Sequence, residues 1–250
     1  MTWAPSDISG LVCTIDPSAS RAANLLWQDA AKTTQATADG HRVYVAQCPV
    51  TGVEFHCDNN GQRPTLKQVG GKWLLRGDGS NLMYASVATS IPCAAAMRLL
   101  LTGYAGTGYR PFIEGCSAGP TAQYGSNVFD GTLGVYGGPS TGTGGGTIND
   151  ALAHNLVLNW STSANGAKSR IDGSQVMQTA NGAASATILA VFTDFTAVIS
   201  ACDIYRMAFC SGDFNSTDRT NLEGWWLEDG TPPSGPSIPV LMNQYRQRWA

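Results

Sequence analysis

Charge is what this sequence has least of. Asp, Glu, Lys and Arg make up 13% of its 250 residues, where an average soluble domain carries about 25%. Only four lysines occur: Lys32, Lys67, Lys72 and Lys168. With a net charge of −3 and no basic run, the chain lacks the footprint that a phosphate backbone requires, so nucleic acid is not an expected partner. No apolar stretch reaches the length of a membrane span. The opening "MTWAPSDISG" has neither the basic nor the apolar region of a secretory signal. The chain is therefore expected to be made and folded in a cytoplasm.

Patterns that carry chemistry are equally sparse. Seven cysteines occur, an odd number with no CxxC pair, and most sit inside apolar runs. They read as reduced thiols packed in a core. Cys48, His56 and Cys57 lack a fourth ligand and match no common zinc spacing, so neither a metal nor a cofactor is expected. "YGGPSTGTGGGTIND" (136–150) is rich in glycine but satisfies neither phosphate-loop pattern. The four glutamates, Glu54, Glu114, Glu223 and Glu228, form no E-x-D-x-x-E run, and no predicted strand puts two acids on one face as glycoside hydrolysis requires. "GCSAG" (115–119) fits GxSxG, with Asp130 or Asp150 and His154 following in order. That motif needs a sharp strand-to-helix turn, and Pro120 with "TAQYGSNVFDG" predicts no helix. The chain is not expected to be an enzyme.

What is present is a rhythm of turns. "DNNGQRP", "VGGK", "RGDGSN", "TGYAGTGYRP", "SANGA", "IDGS" and "SGDFNS" recur at short intervals with strand-length runs between them, the pattern of an all-β sandwich. In "NLVLNWSTSANGAKSRIDGSQVM", Leu156, Leu158 and Trp160 alternate with Asn155, Val157 and Asn159. Asn165-Gly166 and Asp172-Gly173 supply tight turns, which predicts a three-stranded meander. The apolar stretch 185–211 is too long for one strand and predicts two central strands broken near Asp194 or Ser200. One helix is predicted from Asn215 or Ser216 as N-cap, with Asp218 in its first turn, Gly230 beyond its end, and Leu222, Trp225 and Trp226 seating it on the sandwich. Two N-x-S/T sequons, at Asn159 and Asn215, are read as coincidence without a secretory signal.

The N-terminal half carries a resemblance. "ISGL" (Ile8 to Leu11), Asp16 to Ser18, Gln28 to Val43, Arg63 to Thr65 and Asp78 to Tyr84 follow one another as do the opening elements of laminin-G-like, concanavalin-A-like jelly-roll domains, of the kind found in tailed-phage structural proteins. "RIDGSQV" (170–176), "CDIYRMAF" (202–209) and "STDRTNLEGWW" (216–226) resemble that family's later hairpin, last strand and closing helix. Two departures stand out. Thr14 replaces the family's Trp, and "CPVTGVEFHCDNNG" replaces an acidic D-x-S-G-x-G segment, leaving no cluster of oxygens for Ca²⁺. The resemblance implies an all-β, two-sheet antiparallel jelly-roll sandwich over residues 1–230 with one short C-terminal helix, then a Pro-rich arm over 231–250. It also implies that the polar stretch Leu26 to Cys48 is a long early loop wrapping one end of the sandwich.

The same resemblance implies a non-enzymatic role. The expectation is a virion structural protein of a phage, either a head decoration or spike or a tail-associated adhesin. Such a protein is made in the host cytoplasm, assembles with other virion proteins and copies of itself, and has host-surface glycan as a candidate ligand. The alternatives are a stand-alone carbohydrate-binding module and a polysaccharide-degrading enzyme. Tyr104, Tyr109, Tyr124 and Tyr136 lie in Gly-rich sequence, where exposed rings could stack on sugars. Leu241, Met242, Tyr245, Arg246, Arg248 and Trp249 give the arm the aromatic and Arg anchors of a docking peptide.

Overall fold

Side-chain alternation decides how these strands stack. The computed structural model describes residues 4–103, 110–116, 122–129, 132–137, 140–142, 145–161, 166–179, 184–192 and 201–227. In chain order the first elements are β1 (Leu11–Ile15), helix α1 (Pro17–Ala22), β2 (Leu26–Trp27), β3 (Val45–Gln47), β4 (Glu54–His56), β5 (Thr65–Val69), β6 (Lys72–Asp78) and β7 (Met83–Ala85). Then come β8 (Thr89–Ser90), β9 (Cys93–Gly103), β10 (Arg110–Cys116), β11 (Ala122–Phe129), β12 (Thr132–Gly137) and β13 (Ser140–Gly142). The last are β14 (Ala153–Trp160), β15 (Ala167–Ile171), β16 (Ser174–Thr179), β17 (Ser185–Ala186), β18 (Ile188–Val191), β19 (Ala201–Ser211) and helix α2 (Ser216–Leu227).

Two sheets carry the fold. The first runs β16-β15-β14-β9-β19-β6-β5, with β1 also paired to β19; the second runs β13-β12-β11-β10-β18-β7-β4-β3-β2. Neighbouring strands pair antiparallel throughout both sheets. The fold is the all-β, two-sheet antiparallel jelly-roll sandwich that the sequence implies. The meander stands as β14-β15-β16. Its second turn places Asp172 at φ +49° and Gly173 at φ +83°, the positive values a two-residue hairpin needs. The stretch 185–211 carries β17, paired with β8, then β18 in the second sheet and β19 in the first; the expected break near Asp194 or Ser200 lies outside the described residues.

One core fills the space between the sheets. Met97 and Leu99 of β9, Leu156, Leu158 and Trp160 of β14 and Phe209 of β19 meet Phe55, Phe112, Tyr124, Val135 and Leu189 from the second sheet, all fully buried or nearly so. All seven cysteines are buried and free of disulfides, as packed thiols should be. Burial is the main cause that lifts the thiol of Cys93 to about 12, which leaves it an inert space-filler.

The first sheet is also covered from outside. Of the β9 residues that alternate with the inward set, Ala94 and Ala96 are small, while Arg98, also buried, donates to the Asn155 side-chain oxygen. With Val157, Ala208 and Cys210 the two alanines form a bed for Phe214, Leu222 and Trp225 at and within α2. The side-chain oxygen of Asn215 accepts from the Asp218 amide at 2.8 Å, so Asn215 is the N-cap. Asp203, on the same outer surface, is paired bidentately with Arg76 at 2.7 and 2.6 Å. A shorter helix, α1, follows β1 directly. Asp16 caps the Ala19 amide and Pro17 occupies the first turn, so D-P-S-A is a helix start.

The polar stretch after β2 closes a side of the sandwich. β2 and β3 pair at one edge of the second sheet, and the chain between them crosses to the edge of the first. There the Gly40 amide donates to the Leu66 carbonyl, the Leu66 amide to His41, and the Val43 amide to Pro64. Asp39 adds the Gln68 amide and Lys67. The loop thus covers the free edge of β5, which would otherwise offer unpaired backbone groups to another chain.

The alanine bed yields a stability prediction. Ala96→Leu adds three carbons where α2 lies against β9, and should lower the unfolding free energy by about 1–3 kcal/mol, measured by urea denaturation. Val12→Leu, at a half-buried site, serves as the control and should change little.

Candidate functional site

The tyrosines singled out by composition do different work. Tyr104 and Tyr109 lie outside the described residues, as do Ser117, Asp130 and the whole set Leu241, Met242, Tyr245, Arg246, Arg248 and Trp249. Tyr124 does not sit in an exposed loop. It is in β11, 1% exposed, with its hydroxyl hydrogen-bonded to Thr89 and its ring 5.3 Å from that of Trp160. A methyl group on Gly115, its direct partner in β10, would come within 2.2 Å of that ring. Tyr136 repeats the arrangement on the outer surface. It faces Gly125 across β11 and β12, where an added methyl would lie 2.5 Å from its hydroxyl, and that hydroxyl donates to Glu114. Each ring covers a cross-strand glycine, a packing role that fixes its orientation.

Of the hydrolase-like order Ser117, Asp130 or Asp150, and His154, only Asp150 and His154 are described. Gly115 and Cys116 end β10, whose next neighbour is its antiparallel partner β11, not a helix. His154 stands in the other sheet, 7% exposed, with Nδ1 2.8 Å from Asp172 and Nε2 2.9 Å from Asp150. Both ring nitrogens face carboxylates, an arrangement that favours the imidazolium, the form that donates from both. Burial by itself would lower its pKa, but the hydrogen bonds to Asp172 and Asp150 outweigh burial and raise it above the ordinary histidine value. A ring held this way has no lone pair for base catalysis. It clamps the β15–β16 turn to the segment before β14.

A different constellation forms at the surface of the second sheet. Phe55 of β4 and Met83 and Ala85 of β7 point into the core, so His56 and Tyr84 point out. Their rings lie 4.2 Å apart. Asp58 comes two residues after His56, its side chain 61% exposed. It accepts from the Tyr44 hydroxyl at 3.1 Å and, through its other oxygen, from Tyr84. The Arg63 guanidinium stands 4.5 Å from the Tyr44 ring and donates to the Gln28 carbonyl at 2.9 Å, which ties the cluster to the edge-closing loop. Hydrogen bonding from Tyr84, and then Tyr44, pulls the Asp58 carboxyl below the usual range against its partial desolvation. The same bond to Asp58, with burial second, pushes Tyr84 up to about 12. Near neutral pH Asp58 is therefore an ionised acceptor and Tyr84 a neutral phenol. The cluster can accept from hydroxyl-rich ligands and offer aromatic edges, but neither group is poised to exchange protons.

Sequence reasoning passes over this cluster although its residues are in view. Tyr44 directly follows the element Gln28 to Val43 and Tyr84 ends Asp78 to Tyr84, but the two are 40 residues apart and only strand pairing brings them to Asp58. Cys48 and Cys57, which the sequence groups with His56 as conceivable ligands, are engaged locally. Cys48 sulfur accepts from the Thr14 amide at 3.1 Å, and the Cys57 thiol donates to the Asn59 carbonyl at 3.2 Å. Among the described residues no group of three His, Cys, Asp or Glu side chains is arranged to hold a metal ion, and no helix is long and apolar enough to cross a membrane.

No protein-family model matches the sequence, and no curated protein matches it. Solved structures do share the fold. A Trypanosoma rangeli sialidase in complex with sialic acid superimposes with a TM-score of 0.59 at 12% identity, covering 88% of this chain and 33% of the sialidase. The binding domain of Paraclostridial Mosquitocidal Protein 1 gives 0.57 at 7% identity, covering 89% of this chain and 53% of that one. The chain thus spans about a third of the sialidase and about half of the mosquitocidal binding domain. At these identities the likeness is one of fold: a two-sheet β-sandwich.

The His154 clamp gives a pH dependence with a definite sign. Its folded pKa is raised, so its contribution is complete below the unfolded value of about 6.5 and is lost as pH rises through the folded value. The Asp150 carboxyl is lowered, so its share fades only in acid. His154→Gln should cost about 1–2 kcal/mol at pH 6, with the gap to wild type narrowing by pH 9. Thermal melts across that range read the gap directly.

Proposed function

We propose that this chain is a non-enzymatic glycan-binding jelly-roll domain, and that it serves as a structural protein of a tailed-phage virion, as a head decoration or spike or a tail-associated adhesin. The observation that carries the binding role is the exposed Asp58 carboxylate held by Tyr44 and Tyr84 beside His56 and Arg63. An ionised carboxylate accepts from vicinal sugar hydroxyls, and the surrounding rings supply an apolar face for the C–H side of a sugar. The fixed proton states of Asp58 and Tyr84 favour binding over catalysis. The shared fold adds support, since in the Paraclostridial protein it forms a binding domain and in the sialidase it is part of a protein seen with sialic acid.

The virion setting rests on the resemblance of the N-terminal elements to phage jelly-roll proteins, and on a surface poor in charge, suited to packing among neighbours. In this reading the segment 231–250, with Leu241, Met242, Tyr245, Arg246, Arg248 and Trp249, docks on other virion proteins or on copies of the chain. A stand-alone carbohydrate-binding module would share the Asp58 cluster and differ only in its setting.

Two measurements test the proposal. On a glycan array the wild type should bind a defined subset of glycans, and Asp58→Ala should lose at least tenfold in signal at unchanged melting temperature; equal binding by the variant rejects the site. Mass spectrometry of purified particles should find the chain in the virion, and deletion of 231–250 should abolish its incorporation. Absence of the full-length chain from particles would leave the module reading in its place.

A further inference from the structure

Helix α2 covers only the central strands of the first sheet. Beyond it, among the described residues, nothing packs on the outer surface of β15 and β16, and a step is left where helix meets sheet. An open cleft of about 240 Å³ occupies that step, lined by Asn159, Lys168, Arg170 and Gln175 from the meander and by Asp213 and Arg219 from the start of α2. The strand register explains the grouping. Asn159 pairs with Lys168 across β14 and β15, Arg170 pairs with Gln175 across β15 and β16, and side chains two apart share a face.

The charges in the cleft do not balance. Three cations face one carboxylate, and that carboxylate, Asp213, is held by the Asn159 amide at 3.2 Å. Among the described residues Lys168, Arg170 and Arg219 form no ion pair. Arg170 donates only to the Gly173 carbonyl at 3.3 Å, and Arg219 to the Phe214 carbonyl at 2.6 Å, so each guanidinium keeps donors to spare. Asp218, the next acid on the helix, is buried and does not line the cleft. In a chain with four lysines this is an unusual concentration of positive charge.

We infer that this cleft is a second ligand site, one that binds a carboxylate-bearing sugar residue. Planar guanidinium groups match a carboxylate in two-point geometry, and Asn159 and Gln175 add amides suited to ring hydroxyls. The volume falls short of the roughly 300–1,000 Å³ of pockets for drug-sized ligands, which fits one residue rather than an oligosaccharide. The site lies on the outer surface of the first sheet, whereas the Asp58 cluster belongs to the second, and the two are opposite in charge. One presents an acceptor for neutral hydroxyls and the other donors for an anion.

The test is calorimetric titration of the full chain with sodium glucuronate, glucose and sodium sulfate. Glucuronate should bind, with glucose and sulfate each at least tenfold weaker. The Lys168→Gln/Arg170→Gln variant should lose glucuronate binding tenfold or more, and Asp58→Ala should keep it. Absence of glucuronate binding, binding indifferent to the double variant, or sulfate binding as tight as glucuronate would each overturn the inference. Should the double variant melt early, Lys168→Gln alone, at an exposed position, should weaken binding about threefold; no change there also overturns it. Because Asp58→Ala separates the two sites, failure here leaves the Asp58 reading standing, and the converse holds.

Discussion

Burial of β9 on both faces is the constraint on which the rest of the molecule depends. A strand in a sandwich usually shows one face to the core and one to water, and alternates accordingly. In "CAAAMRLLL" the inward positions carry Met97 and Leu99, while the outward ones carry Ala94 and Ala96, and all four are fully buried. Alanine is small enough to let a helix lie close against the sheet, and it leaves no polar group to satisfy. The outer surface of the first sheet therefore has a place for α2, and Phe214, Leu222 and Trp225 fill it. Past the alanines the same face carries Arg98 paired with Arg206, and Arg206 donates to the Trp225 carbonyl of the helix. Further out, on β15 and β16, the outward residues become Lys168, Arg170 and Gln175, and the surface returns to water.

The second sheet solves a related problem with glycine. Its strands β10 and β11 carry Gly115 and Gly125 at positions where a tyrosine from the neighbouring strand lies flat across the gap, Tyr124 inward and Tyr136 outward. Glycine weakens a strand because it contributes no side-chain packing, and a cross-strand ring restores the lost contact. The exchange ties two tyrosines to structure. It leaves ligand contact to residues that point outward elsewhere on this sheet, such as Tyr84 and His56, where β4 and β7 meet the edge-closing loop.

The legible part of the sequence was the part governed by local rules. The turn at Asp172-Gly173, the alternation along β14 and the cap at Asn215 depend on neighbours a few residues away, and each is present. Assignment of β18 and β19 to different layers was not legible, because both carry strand-forming apolar residues and local pattern does not say which layer receives which strand. Tyr124 defeats a sequence reading for a related reason. Glycine-rich surroundings suggest an exposed loop, but here the glycines mark the close approach of a ring, which only strand register reveals. The two candidate sites were hidden by distance along the chain. Asn159 and Asp213 touch across 54 residues, and Tyr44 reaches Asp58 only after the loop from 28 to 44 has been anchored on β5. The start of α1 is equally hidden, because Asp-Pro-Ser serves turns and helix starts alike, and the choice between them falls to the residues after it.

Two ionisable groups of the exposed cluster are each held in one protonation state near neutral pH: Asp58 is ionised because two phenols donate to it, and Tyr84 is held neutral by the same bond. Acid–base chemistry requires a group that gives up and regains a proton near the working pH, and hydrogen bonds that favour a single state work against that. The same bonds suit recognition, because a donor or acceptor of fixed character and direction discriminates between ligands without a cost of reorganisation. A sandwich built this way presents an acceptor surface on one sheet and a donor-lined step on the other, each located where packing leaves outward side chains free for water or a ligand.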